Sequence, residues 1–129
     1  ILNIGNFLKN SNIQIDKILS SPLTRAKETA KIIHKCFDLH EEIDYLEELF
    51  PTAQPNKTFS AIEEYSSYKY IFVVSHLPLV EQLLNYIITA TNDVSVFFNK
   101  GSIACIRLDS FSRKSSGILE WFLSPDLIA

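Results

Sequence analysis

The chain has 129 residues, of which 47% are hydrophobic, and a formal net charge of −3 at neutral pH. That length and apolar content suit a single globular domain with a substantial core. The small negative charge and the lack of a run rich in Lys or Arg argue against a nucleic-acid partner. No apolar stretch approaches the roughly 20 residues of a membrane-spanning helix, which argues against a membrane partner.

The two cysteines, Cys36 and Cys105, each lie inside an apolar pattern. This placement indicates reduced core residues, and a structural disulfide is not expected. No signal-peptide pattern opens the sequence. Together these features predict a cytoplasmic protein.

The sequence begins with Ile1 and contains no Met. Apolar residues recur at helical spacing over 1–10 with no cap residue ahead of them, which predicts the tail of an amphipathic helix. We therefore expect that an N-terminal segment is missing. Residues 1–129 would then form one domain without its first strand and the start of its first helix.

The middle of the chain alternates between strand and helix patterns. In chain order, strands are predicted at 17–20, 43–45 and 70–74, and helices at 22–36, 58–68 and 78–90, with a loop over 50–57. Ser21 is a good N-cap and Pro22 a good first helical residue. The apolar, β-branched run at 70–74 is typical of a fully buried strand. The helix after it is predicted to bury a stripe made of Val80, Leu83, Leu84, Ile87 and Ile88.

The last third of the chain has a different character. Residues 94–98 are apolar, and two alternating segments at 103–108 and 118–123 flank a polar turn over 110–117. This pattern predicts two antiparallel strands joined by a turn. The whole sequence therefore predicts an α/β fold, with βα units followed by a hairpin at the edge of the sheet.

Arg25 and His76 stand at two strand-to-helix junctions, where open α/β sheets bind ligands. Arg25 lies in a first helical turn, whose free N–H groups attract anions, and a guanidinium binds phosphate bidentately. A surface arginine is the plainer interpretation. His76 follows a buried strand and could donate to a phosphate oxygen or exchange a proton near neutral pH. Its plainer interpretation is a histidine that caps the next helix. Together the two residues suggest a phosphate site.

Other candidates for chemistry are weaker. His34 and His40 fit structural or surface roles, and with Cys36 they do not form a zinc-binding spacing. The sequence has no glycine-rich phosphate loop, which argues against nucleotide-loop chemistry, and it has no nucleophile elbow. Glu47 and Glu48 end an acidic stretch that is mostly a solvated face, although one of them could approach the pocket.

Two stretches carry a family resemblance. Residues 20–30 have the sequence SSPLTRAKETA, and residues 74–80 have the sequence VSHLPLV. The first resembles the Ser-Pro-x-x-Arg-Ala-x-x-Thr motif of the histidine phosphatase superfamily. The second is typical of the small SixA-type phosphohistidine phosphatases within it. GSIA at 101–104 and WFLSP at 121–125 also fit the C-terminal hairpin of that group, so the similarity covers essentially the whole chain.

This resemblance implies a phosphoglycerate mutase-like, three-layer α/β/α sandwich with a mostly parallel sheet and an antiparallel edge hairpin. It also implies catalysis without metal or cofactor. In the family, an Arg-His-Gly at the end of the first strand supplies a nucleophilic His, which becomes a phosphohistidine before water releases phosphate. Two arginines and a second His stabilise the transition-state charge. Arg25 matches the phosphate-binding Arg of the helix, and His76 matches the second His.

The sequence departs from the family pattern in one respect. It contains no Arg-His-Gly, and His34 and His40 follow Ile33 and Leu39. The family's first strand would fall before Ile1, roughly 30 residues upstream if strand, loop and half-helix have ordinary lengths. Residues 1–129 alone are therefore expected to be inactive.

The resemblance implies that the protein is a phosphatase that acts on a phosphohistidine of a signalling or phosphotransfer protein. The connection over 49–70 is too short for the large cap of bigger relatives, and an open pocket suits a protein substrate. Glu48 is the candidate general acid, although the labile P–N bond needs little acid help. Two alternatives stay open. One is a phosphatase for small phosphomonoesters. The other is a non-catalytic phosphate-binding module, if the protein truly lacks the nucleophilic His.

Overall fold

The computed structural model describes residues 2–89, 102–108 and 117–123. Its helices are α1 (Leu2–Asn10), α2 (Thr24–Cys36), α3 (Pro55–Glu63) and α4 (Leu79–Thr89), with a 3₁₀ turn at Glu47–Leu49. Its strands are β1 (Lys17–Ser20), β2 (Asp44–Tyr45), β3 (Ile71–Val74), β4 (Ile103–Leu108) and β5 (Gly117–Leu123). The predicted βα units followed by a hairpin are confirmed.

The first three strands form a parallel sheet in the order β2-β1-β3. Ser20, the last residue of β1, pairs with Tyr45 of β2 and with Val74 of β3. All three strands therefore finish at the same level, which we call the carboxyl end of the sheet. The opposite side, where Lys17 pairs with Ile71, is the amino end. Residues that directly follow the three strands converge at the carboxyl end.

Helices cover both faces of this parallel sheet. Successive residues of a strand point to opposite faces, so Ile18 and Leu19 of β1 enter two different cores. Ile18 packs with α2 through Ala26, Ala30 and Ile33. Leu19 packs with α3 and α4 through Phe59, Ile62 and Leu83. Helix α1 lies against α2. The three-layer α/β/α arrangement is confirmed.

Strands β4 and β5 form an antiparallel hairpin, with Leu108 opposite Gly117 and Ile103 opposite Leu123. Among the described residues the hairpin is a sheet of its own, not hydrogen-bonded to the parallel sheet. It packs against α4 through Gly117, where a Cβ atom would collide with the side chain of Ile87. The glycine thus permits the close approach of β5 to α4. The apolar run at 94–98 and the turn at 110–116 lie outside the described residues.

Two helices start at other positions than the sequence predicts. Helix α2 begins at Thr24, not Pro22, because Ser21 accepts a hydrogen bond from Leu23 N in a turn ahead of the helix. Helix α3 spans Pro55–Glu63, not 58–68. Pro55 occupies its first turn, where a proline has no N–H to leave unpaired, and Thr58 donates to the carbonyl of Gln54.

The predictions for β3 and α4 need correction as well. Strand β3 is not fully buried, since Ile71, Phe72 and Val73 are half-buried and it lies at the side of the described sheet. Helix α4 begins at Leu79, and residue 90 lies outside the described residues. Its buried apolar residues are Leu79, Leu83 and Leu84. Val80, Ile87 and Ile88 are only half-buried, so the buried apolar stripe of the helix is narrower than predicted.

The amino end of the sheet holds a buried lysine. Lys17 is 5% exposed, and its Nζ donates to the carbonyl of Glu42 at 2.7 Å and to Asp44 Oδ1 at 3.0 Å. The Tyr65 hydroxyl donates to the other Asp44 oxygen at 2.7 Å. This hydrogen bond lowers the pKa of Asp44 most, and the hydrogen bond and charge of Lys17 add to it against the opposing effect of burial. Burial and the contact with Asp44 raise the pKa of Tyr65 to about 12. These contacts compensate for the cost of burying the charge of Lys17.

None of the helices in the described part of the chain is both long and apolar enough to cross a bilayer.

Candidate functional site

The β1–α2 junction places two serines at the carboxyl end of the sheet. Ser20 and Ser21 are both fully buried. Ser21 N–H donates to the carbonyl of Val74 at 2.9 Å, which continues the parallel pairing one residue beyond the strands. The Ser20 hydroxyl donates to the carbonyl of Ser21 at 2.9 Å. Ser21 Oγ accepts the N–H of Leu23 at 3.2 Å. These contacts fix the chain where it leaves β1 for α2.

The β3–α4 junction places His76 beside this turn. His76 Nε2 lies 2.8 Å from Ser21 Oγ, a hydrogen bond between the two junctions. The carbonyl of His76 accepts the N–H of Val80 at 2.9 Å, so its backbone also serves the start of α4. Partial burial lowers the pKa of the His76 ring. The neutral imidazole is therefore favoured, with one N–H to donate.

Arg25 is the second residue of α2 and is exposed. The first turn of α2 has no acidic residue, and no carboxylate of the described residues forms an ion pair with Arg25. A guanidinium without an ion-pair partner in the described part of the chain thus stands at the positive end of a helix, just after the turn that holds His76. Free donors and positive charge at one place suit an anion.

The segment after β2 reaches the same end of the sheet. Ser75 Oγ donates to the carbonyl of Leu49 at 2.6 Å, and Thr58 Oγ1 donates to the carbonyl of Glu48 at 2.6 Å. These bonds hold the 3₁₀ turn against β3 and α3. The Glu48 side chain is exposed and lines a shallow cleft of about 320 Å³. The cleft is also lined by Glu47, Thr52, Ala53, Gln54 and Lys57.

The remaining histidines lie away from this end. His34 is in the last turn of α2, and its Nε2 lies 2.8 Å from the carbonyl of Glu41. Because a helix that follows a parallel strand runs back along the sheet, the last turn of α2 is near the amino end. His40 is exposed in the connection that follows.

Sequence reasoning missed the part that Ser21 plays at the site. We predicted an N-cap, whereas its hydroxyl joins the β1–α2 turn to the ring of His76. A serine at the end of a buried strand was the visible signal. The pairing of β1 with β3, which brings residues 55 positions apart into contact, was not visible.

Proteins named as SixA phosphohistidine phosphatases or their homologs match most of the chain. No family model matches it. The phosphohistidine phosphatase SixA of Escherichia coli K12 is 27% identical over 124 residues, which cover 95% of this chain and 74% of that protein. The phosphohistidine phosphatase SixA homolog of Haemophilus influenzae is 30% identical over 87 residues, which cover 64% of this chain and 53% of that protein.

Solved structures agree with these relatives. The protein histidine phosphatase SixA complexed with tungstate superposes with a TM-score of 0.85 at 26% identity, covering 99% of this chain and 81% of that one. The putative phosphohistidine phosphatase SixA from Agrobacterium tumefaciens has a TM-score of 0.72 at 21% identity, covering 96% of this chain and 78% of that one, and supports the fold. The sequence and fold of the chain therefore support its assignment to the SixA type of the histidine phosphatase superfamily.

Proposed function

We propose that this protein is a phosphohistidine phosphatase that removes phosphate from a histidine of a signalling or phosphotransfer protein. The observation that carries the proposal is the convergence of His76 and Arg25 at the carboxyl end of the sheet in a chain of the SixA type. One SixA structure contains tungstate, a tetrahedral oxyanion like phosphate. Two cysteines without a disulfide suit a cytoplasmic protein.

Arg25 has the properties of a phosphoryl-binding group. Its guanidinium carries five N–H donors in a planar fork and can bind two phosphoryl oxygens at once. The N-terminus of α2 adds unpaired backbone N–H groups and the positive end of the helix dipole. Negative charge that builds up on the phosphoryl oxygens in the transition state would therefore meet fixed positive groups.

His76 acts in this proposal as a hydrogen-bond donor. Its ring is neutral near pH 7, since burial lowers its pKa. One ring nitrogen faces Ser21, and the other can donate its proton to a phosphoryl oxygen. A neutral donor orients the oxyanion, while Arg25 supplies the charge.

The nucleophile would be a histidine of an Arg-His-Gly segment, which residues 1–129 do not contain. Its imidazole nitrogen would attack phosphorus in line as the bond to the substrate histidine breaks. Water would then cleave the new P–N bond and release phosphate.

Glu48 is the candidate for protonating the leaving imidazole of the substrate. Its carbonyl is held by Thr58, and its exposed side chain lies beside an open cleft. The residues that line this cleft include neither Arg25 nor His76, so the candidacy of Glu48 rests on its position just after β2, which ends at the carboxyl end of the sheet. The P–N bond is labile, so the contribution of Glu48 should be small beside that of Arg25.

The test is dephosphorylation of a phosphotransfer protein whose histidine has been phosphorylated with phosphoramidate. We expect the full gene product to release phosphate, His76→Ala to slow release by about 10²–10³-fold, and the exposed control His40→Ala to match wild type. Full activity of His76→Ala would overturn the proposed role of His76. Faster hydrolysis of sugar phosphates than of the phosphoprotein would overturn the proposed substrate class. Calorimetric phosphate binding without turnover would indicate a non-catalytic binding module.

A further inference from the structure

The hydrogen bond between Ser21 and His76 has only one arrangement that pairs every donor. Ser21 Oγ is fully buried and has one hydrogen and two lone pairs. The N–H of Leu23 can only donate, so it occupies a lone pair of Oγ. The hydroxyl hydrogen then needs an acceptor, since an unpaired buried donor costs about 1–3 kcal/mol. Among the described residues, the acceptor within reach is Nε2 of His76, 2.8 Å away.

If Nε2 accepts the Ser21 hydrogen, the proton of the neutral ring must be on Nδ1. In the reverse arrangement, with Nε2–H donating to Oγ, the buried hydroxyl hydrogen would have no partner in the described part of the chain. Burial lowers the pKa of His76 and so favours the neutral ring. Only the neutral ring has two tautomers, so the question of which nitrogen carries the proton applies here.

We propose that Ser21 is a positioning residue that holds His76 as its Nδ1–H tautomer, with Nδ1 as the atom that donates to the phosphoryl group. The identity of that ligand rests on the proposed function, whereas the tautomer rests on the contacts of Ser21 alone. No described residue hydrogen-bonds Nδ1, so this N–H is free for a ligand. Ser21 acts through His76 and is not itself a catalytic residue.

Ser20 provides a matched control at the next position. It is equally buried, and its hydroxyl also makes a hydrogen bond, but to the backbone carbonyl of Ser21 and not to His76. Ser20→Ala and Ser21→Ala therefore each remove one buried hydroxyl from the same turn. A purely structural effect would affect both variants, whereas an effect on the His76 ring should follow Ser21 alone.

The experiment is NMR of the full gene product with ¹⁵N-labelled histidine, above the pKa of His76 and without substrate. In wild type we expect the His76 proton on Nδ1. In Ser21→Ala we expect Nε2–H to become populated, and in Ser20→Ala no change. A wild-type ring with its proton on Nε2 would overturn the inference without any variant. An unchanged tautomer in Ser21→Ala would overturn it as well.

Turnover and binding give the second measurement. Ser21→Ala should weaken binding of inorganic phosphate and lower kcat by about tenfold, the value of one hydrogen bond of ~1.4 kcal/mol, while Ser20→Ala, which leaves the hydrogen bond to His76 in place, should lose clearly less. Equal losses in both variants would contradict the positioning role. If the protein is not a phosphatase, turnover is absent but the tautomer result stands, so the two proposals fail separately.

Discussion

The two ends of the parallel sheet both carry buried polar groups, but they differ in whether those groups are satisfied. At the amino end, Lys17 is bonded to Glu42 and Asp44, and Asp44 is bonded in turn to Tyr65. At the carboxyl end, His76 has one bonded ring nitrogen, and Arg25 has no carboxylate partner among the described residues. The first network is complete within the protein, and the second leaves donors for a ligand.

This difference separates structural from functional polar groups better than burial does. Lys17 is 5% exposed and would look like a candidate site residue from its burial and charge. Its hydrogen bonds account for that burial, so it needs no ligand. Arg25 is exposed and would look like an ordinary surface residue. In the proposed function, its position at the N-terminus of α2, at the carboxyl end of the sheet, is what gives it a role. Variants at the two ends should therefore affect different quantities.

The largest expected effect is on turnover at the carboxyl end. Arg25→Ala should lower kcat/KM for the phosphohistidine protein by about 10²–10³-fold, because a preorganised charge on the phosphoryl oxygens is lost. Arg25→Lys should recover only part of this loss, since an ammonium cannot bind bidentately. Lys31→Ala, an exposed change on the same helix, is the control for steady-state assays. Equal rates for Arg25→Ala and Lys31→Ala would remove Arg25 from the site.

The largest expected effect on stability is at the amino end. Lys17→Met should lower the free energy of unfolding by about 2 kcal/mol, since Asp44 loses its charge partner but stays partly solvated. Urea denaturation measures this loss, and Lys31→Met should change stability by less than about 0.5 kcal/mol. The folded Lys17→Met protein should keep its turnover. Lost turnover with unchanged stability would reverse the roles that we assign to the two ends.

The carboxyl end should respond to mild acid. Burial puts the folded-state pKa of His76 below its ordinary value of 6.5, so the unfolded chain binds more protons between the two values. Its stabilising contribution is present above pH 6.5 and is lost as the pH falls through the folded-state pKa. The free energy of unfolding, measured across this pH window, should fall with decreasing pH in wild type and should fall less steeply in His76→Asn. Identical slopes would argue against a buried neutral ring.

The smallest expected effect is the acid response of the amino end. The hydrogen bond from Tyr65, and then the hydrogen bond and charge of Lys17, lower the pKa of Asp44 from 3.8. Its contribution to stability is therefore present above pH 3.8 and lost as the pH falls through the lowered value. Asp44→Asn should flatten this part of the stability curve and leave the His76 window unchanged. A shift of the His76 window in Asp44→Asn would mean that the two ends are coupled.

The local elements were largely predictable because their signals are local. The bounds of β1 and the end of α2 follow from the spacing of apolar residues. The order of strand, turn and helix patterns places Arg25 and His76 at strand-to-helix junctions. The start of α3 at Pro55 was missed, although a proline in the first turn is a known signal. The half-burial of β3 was missed because burial depends on what lies beside a strand.

The sequence by itself determined the alternation of strands and helices, the family resemblance, and the placement of Arg25 and His76 at two strand-to-helix junctions. Hydrophobic periodicity and turn-forming residues act over a few neighbouring positions, so they can be recognised from the sequence alone. Only the tertiary structure decided that β3 lies beside β1, that Ser21 contacts His76, and that Lys17 is paired while Arg25 forms no ion pair within the described residues. Those facts depend on pairing between distant segments, which no local pattern specifies.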